Sequence, residues 1–210
     1  MNGLSLHRKV EDSTGLLIFG ILFVSAIGGM VQLIPILEQE SLETPTTNTR
    51  PYSAVELTGR DIYMRENCVV CHSQQVRPLV AELERYGPYS RAGEFVYDRP
   101  FLWGSKRTGP DLHRIGGKYS DDWHRIHLLE PRSVVAESIM PAYPWLAERD
   151  ASETGNITAK MTALRRLGHP YTDEQINSAE QDLDGLKEID ALIAYLQMLG
   201  TGFSEEESGE

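Results

Sequence analysis

Five consecutive residues carry the most specific chemistry in the chain: Cys68-Val69-Val70-Cys71-His72. C-x-x-C-H is the attachment pattern of a c-type haem. Two thiols one helical turn apart can each form a thioether with a haem vinyl group, and the adjacent imidazole then falls under the iron as proximal ligand. A zinc half-site is one rival, but zinc needs more ligands and the chain has no third cysteine. A redox C-x-x-C is another, and the βαβ context it expects is absent from the residue pattern. The motif predicts one covalent haem, with Cys68 and Cys71 as thioether sites and His72 as proximal ligand. With both cysteines inside the motif there is no disulfide framework, so covalent haem must hold the domain together.

The iron's other face must then carry a side chain, water or nothing. Of the six methionines, Met1 and Met30 are remote from the motif, and Met64 precedes it too closely to wrap round the ring. Met161 and Met198 fall on predicted helices, where filling core gaps is the usual role. Met140 lies after a predicted helix and before Pro141, which fixes the backbone and keeps that stretch from becoming helix. The rival ligands are His113, His124, His127 and His169; His124 and His127 sit one turn apart on a predicted helix and are expected to face solvent or the haem propionates. Met140 is the expected distal ligand. A thioether opposite imidazole raises the reduction potential, which suits electron transfer late in a chain towards oxygen. A low-spin haem with both axial positions filled cannot bind oxygen, and the chain offers no three-histidine copper cluster and no second haem motif. It is therefore expected to carry electrons and not to perform oxygen chemistry.

A proximal histidine usually needs its other ring nitrogen bonded to a carbonyl, which fixes the ring. Thr108-Gly109-Pro110-Asp111-Leu112 supplies a candidate in the Pro110 carbonyl. An ordinary turn is the alternative, because Gly-Pro makes turns anyway.

The elements that must position these residues read as all-α. Residues 1–13 form a polar stub, followed by an uncharged apolar stretch at 14–37. That length matches the ~20 residues a membrane-spanning helix needs. A cleavable signal would have an apolar region of only ~7–15 residues, so an uncleaved anchor is favoured. Arg8 and Lys9 precede the stretch and no basic residue follows until Arg50, which places the N-terminus in the cytoplasm and the rest outside. Residues 38–50 read as a linker, 51–202 as the haem domain and 203–210 as an acidic tail. Ser53 and Glu56 form a capping-box pattern, so a helix from Ala54 to Asn67 delivers the chain into Cys68. Gly59 in its middle is explained by a close helix crossing.

Residues 73–107 show neither helical nor strand period but hold Tyr86, Tyr89, Phe95, Tyr97, Phe101 and Trp103, a loop for packing at the haem edge or for docking on a membrane partner. Helices follow from Ser120, over 133–139, after Asn156, and after a Thr172/Gln175 capping box. A further, final helix carries Ile189, Leu192, Ile193, Leu196 and Leu199 at helical spacing. Lys and Arg total 20 against 31 Asp and Glu, a formal charge of −11. That argues against nucleic acid, which wants basic surface, and permits docking on basic redox partners as well as plain solubility.

A helix into C-x-x-C-H, a Gly-Pro segment, a Met-Pro loop and a closing amphipathic helix resemble the class I cytochrome c fold. The resemblance implies first and last helices crossing at a right angle, with Gly59 and Tyr63 meeting Leu192, Tyr195 and Leu196. The anchor, Cys71-His72-Ser73-Gln74, Gly93-Glu94-Phe95-Val96-Tyr97, the run from Trp103 to Leu112, and Met140-Pro141-Ala142-Tyr143-Pro144-Trp145-Leu146 further resemble the monohaem subunit of cbb3-type cytochrome c oxidase, the CcoO or FixO family. This implies a non-catalytic redox subunit in the bacterial inner membrane, with its haem domain periplasmic. It would take electrons from a dihaem c subunit or a soluble cytochrome and pass them to haem b of the haem-copper subunit, which reduces oxygen and pumps protons. The resemblance also implies a calcium ion shared with the catalytic subunit, with Ser105 as the position in this chain. The rivals are the anchored monohaem subunit of nitric oxide reductase, in which the insert is not expected, a free-standing anchored shuttle, and a haem-based gas sensor, for which the stub is too short to signal.

Overall fold

The computed structural model describes residues 3–38 and 44–203. Residues 39–43 of the expected linker and the acidic tail from 204 lie outside the described residues. The chain divides into two compact units, Met1–Thr44 and Pro45–Glu210. Among the described residues the regular structure is helical, with no strand; an isolated antiparallel bridge joins Asp150 and Lys187.

The first unit holds α1 (Gly3–Asp12) and α2 (Thr14–Leu37). The sequence pattern assigns no element to the stub, yet α1 is helical and carries i,i+4 pairs, His7–Glu11 at 3.3 Å and Arg8–Asp12 at 3.9 Å. Such exposed pairs add a few tenths of a kcal/mol each, roughly 0.2–0.5. Ser13 separates the helices and caps the second by accepting from the Leu16 N–H at 3.4 Å. α2 has 24 residues, a mean hydropathy of 2.3 and no buried side chain. At ~1.5 Å per residue its length exceeds the ~30 Å hydrocarbon core of a bilayer. Its length and composition are those of a membrane anchor.

The second unit holds α3 (Ala54–Arg65), α4 (Cys68–Cys71), α5 (Val80–Tyr86), α6 (Asp121–Leu129), α7 (Pro131–Val134), α8 (Ile157–Arg166), α9 (Asp173–Ser178) and α10 (Glu188–Met198), joined by loops and short 3-10 turns. It starts at Pro45, and residues at the end of the expected linker are bonded to it: the Thr46 N–H donates to the Gly93 carbonyl at 3.3 Å and its hydroxyl to Gly202 at 2.7 Å. The capping box at Ser53 forms, with the Ser53 N–H on Glu56 at 2.7 Å and the Glu56 N–H on the Ser53 hydroxyl at 3.3 Å. α3 stops before Asn67, whose φ of 59° breaks the helix and starts the tight turn of the cysteine motif.

α3 and α10 form the central pair. A Cβ on Gly59 would strike the Ala191 carbonyl, so only glycine lets the two helices touch there. Tyr63 and Tyr195 pack with ring centroids 5.5 Å apart, and Tyr52 adds its ring at 5.6 Å from Tyr195. Ile62, Ile189, Leu192 and Met161 complete a core that excludes water.

Two sequence expectations change. The stretch 73–107, read as irregular, contains α5 and a 3-10 turn at Ala92–Phe95. α5 is seven residues long, its N-cap Leu79 gives no side-chain cap, and the residue it buries is Glu82, so no apolar period betrays it. The short helix expected at 133–139 is α7 at Pro131–Val134: Pro131 suits a first helical position, and the chain turns extended at Val135. The insert is pinned to α3 by Arg60. This buried guanidinium pairs with Asp98 at 3.2 Å and donates to the carbonyls of Arg99 (3.1 Å) and Pro100.

Candidate haem site

A cavity of about 610 Å³ lies beside α4. Its wall includes Cys68, Cys71, His72 and Met140, set among Leu112, Ile115, Leu128 and Leu196. The four residues come from two stretches far apart in sequence, and backbone pairing explains how the proximal side is built. Past α4 the chain is extended at His72, the Gly109 N–H donates to Cys71 at 2.9 Å, and the Leu112 N–H donates to Ser73 at 2.9 Å. That register brings His72 Nδ1 to 2.8 Å from the Pro110 carbonyl, the partner expected from the sequence. A carbonyl only accepts, so Nδ1 carries the hydrogen and Nε2 keeps its lone pair. Burial lowers the His72 pKa, partly offset by the Pro110 bond, and favours the neutral ring that a metal takes.

Asp111 locks this register. Its Oδ2 accepts from the Ser73 hydroxyl (2.6 Å) and the Gln75 N–H (2.8 Å), and its Oδ1 accepts from the His113 N–H (2.9 Å). Arg107 donates to the Ser73 hydroxyl at 2.7 Å, the Gln75 carbonyl at 2.8 Å and Glu82 at 2.8 Å. The Arg107 bond holds the Glu82 carboxyl down at about 2, against the burial that opposes it. Reading the sequence for the Gly-Pro segment missed these polar partners, because their roles depend on α5 folding back over residues 107–111.

Among the described residues, Met140 is the one methionine in the cavity wall. Its segment is irregular; its N–H donates to the Ser138 hydroxyl at 3.2 Å, and three residues on the Tyr143 N–H donates to the Leu128 carbonyl at 2.9 Å. Met161 is buried in the core and Met198 ends α10, in line with their expected roles. His113 is occupied by the Ser90 hydroxyl (2.6 Å) and Glu94 (3.2 Å) and stands outside the cavity wall, as does His169, which is buried between Tyr97 and Tyr171. His124 and His127 do line the cavity. His124 does not face solvent: it is 4% exposed.

Of the insert's aromatics, only Tyr86 reaches the cavity, together with Arg85. Tyr86 is flanked by two guanidiniums, Arg85 at 5.1 Å and Arg107 at 5.2 Å from its ring centre. Phe95 is buried against His113 at 4.4 Å, while Phe101 is exposed and stacks on Trp103 at 4.5 Å. Ser105 is exposed, outside the cavity wall, and follows Gly104, whose φ of 62° lets the chain turn past Ser73.

Residues 7–186 match the family model described as cytochrome C oxidase, mono-heme subunit/FixO. The chain belongs to this family. A search of the curated proteins found no match. FixO membership makes the chain a component of a cytochrome oxidase complex and implies a single haem c.

The residues present fit that group. The cavity lies within the ~300–1,000 Å³ of ligand pockets. It is walled by apolar side chains, with two thiols, a tautomer-fixed imidazole and a thioether on its surface. Burial, reinforced by the nearby Glu66, pushes the Cys68 thiol up to about 12. A thiol so protonated is unlike the low-pKa thiolates of redox pairs.

Proposed function

We propose that this FixO-family chain is the electron-transfer subunit of a cbb3-type haem-copper oxidase in the bacterial inner membrane. Cys68 and Cys71 would hold the haem through thioethers, and His72 and Met140 would be its two ligands from the protein. The observation that carries the reading is the His72–Pro110 hydrogen bond at 2.8 Å, in the wall of one cavity that also presents both thiols and Met140. When bound, the haem supplies one-electron redox chemistry. The chain's own residues do the rest. Pro110 and Gly109 fix the imidazole, Leu112, Leu128 and Leu196 exclude water, and Met140 supplies the soft ligand that raises the potential.

Val70, between the two cysteines, is 50% exposed, so the attachment turn is open to an approaching redox partner. α2 anchors the domain, with Arg8 and Lys9 on the cytoplasmic side and the haem domain in the periplasm. The chain receives electrons from a dihaem c subunit or a soluble cytochrome and passes them to haem b of the catalytic subunit, which reduces oxygen to water and pumps protons. The exposed Ser105, beside the haem-attachment turn, is the position offered to a calcium ion shared with that subunit.

Co-purification from membranes in mild detergent, with haem typing and oxygen uptake, tests the assignment. Haem b, copper and oxygen-reducing activity are expected to accompany the chain. Arrival with non-haem iron and nitric oxide reduction, or alone with haem c, would overturn it.

A further inference from the structure

The histidines of the cavity wall have a use that electron transfer through His72 and Met140 does not assign. Trp123, His124, His127 and Leu128 all line the cavity, the spacing of one face of α6. His127 stacks on Trp123 at 4.7 Å with the rings 9° from parallel, and Trp123 stacks in turn on Tyr119 at 4.0 Å. These ring contacts fix the plane of the imidazole, with Nδ1 buried in the wall and Nε2 the nitrogen on the side of the ring left to the cavity. Met140 belongs to the same wall. The bond from the Tyr143 N–H to the Leu128 carbonyl staples the Met140 segment to the last turn of α6, one residue from His127. Beside Met140, Ile139 is 76% exposed; the Met140 N–H donates to the Ser138 hydroxyl, and the Ser138 backbone is bonded to Val135 at 2.9 Å and to Arg132 at 3.2 Å.

We infer that His127 is a reserve distal ligand, which takes the iron when the Met140 thioether leaves it. The exchange breaks one iron–sulfur bond and makes one iron–nitrogen bond, with no change in electron count. The neutral ring is the form required, and burial, with the fields of His72 and His124, lowers the His127 pKa in the direction that favours it. His113 and His169 are excluded by their positions outside the wall. Imidazole is a good ligand for iron, and replacing sulfur by nitrogen lowers the reduction potential. The chain thus contains a second, lower-potential state of the same haem.

The inference rests on Met140 being the resting ligand, and one experiment separates the two. The full-length protein with its haem attached is prepared as Met140→Ala and as Met140→Ala/His127→Phe, the phenylalanine preserving the stack on Trp123. Absorption and electron paramagnetic resonance spectra of the ferric forms are recorded, together with reduction potentials. The expected result is that Met140→Ala loses the sulfur-to-iron charge-transfer band, stays low-spin with a bis-histidine signature and falls in potential. The double variant is expected to turn high-spin. A high-spin Met140→Ala protein overturns the reserve ligand while upholding Met140. A low-spin double variant overturns it too, because some other group is then the substitute. Persistence of the sulfur band in Met140→Ala overturns Met140 itself, and the inference with it.

Discussion

Gly109 and His72 are in contact through atoms that leave no room for a side chain. A Cβ at position 109 would stand 2.7 Å from the imidazole Nδ1 and 2.8 Å from Nε2. The same imidazole is held from its Nδ1 side by Pro110, so residues 109 and 110 set both the position and the tautomer of the ring. Gly109→Ala is therefore expected to push the ring off the Pro110 carbonyl. Overpacking of this kind costs about 1–3 kcal/mol. Chemical denaturation of the haem-loaded protein should show that loss, with a shifted reduction potential. Wild-type values for both would show that the imidazole is not confined by Gly109.

Met140→Leu keeps the volume of the side chain and removes the sulfur. The ferric protein is expected to lose its sulfur-to-iron charge-transfer band, and the reduction potential is expected to fall, because the thioether opposite imidazole is what raises it. An unchanged spectrum and potential would rule Met140 out as the distal ligand.

Acid should destabilise the haem domain through Glu94. Burial of this carboxyl pushes its pKa up, but hydrogen bonds from Arg114 and His113 outweigh burial and hold it down at about 2. A carboxylate with a depressed pKa stabilises the fold above its unfolded value, and that contribution is lost as pH falls towards the folded one. The window is thus from ~4.5 down to about 2. For one buried group the loss is on the order of 2 kcal/mol. Denaturation midpoints measured across this range should fall in the wild type and flatten in Glu94→Gln. Equal slopes would show that the Glu94–Arg114 pair does not drive the acid sensitivity.

The parts of this molecule that could be read from sequence are those with local chemistry. The capping box at Ser53, the uncharged run of α2 and the helical spacing of α10 depend on neighbours within a turn or two. Gly59 was legible too, because a glycine inside a helix needs a reason, and Ala191 supplies it. The Pro110 carbonyl followed from what a ligating histidine requires. α5 was not legible, since its buried residue is Glu82 and its partners, Arg77 and Arg107, are charged. Nor was the division of the insert. Tyr86 turns to the cavity while Phe95 packs on His113, and nothing in an aromatic's spacing says which wall it will meet. Of the two surroundings expected for His124, solvent or the haem propionates, its burial excludes solvent, and that burial depends on the cavity wall it joins and not on α6 alone.

The central claim is that electrons bound for oxygen pass through a haem held by this chain, and Cys71→Ala in the whole oxidase complex tests it most directly. Haem staining of the denatured subunit and oxygen uptake by the purified complex are measured on the same preparation. The account predicts that covalent haem is lost from this chain and that oxygen uptake stops while the catalytic subunit keeps its own haems. Normal oxygen uptake by a complex whose copy of this chain carries no haem would contradict it.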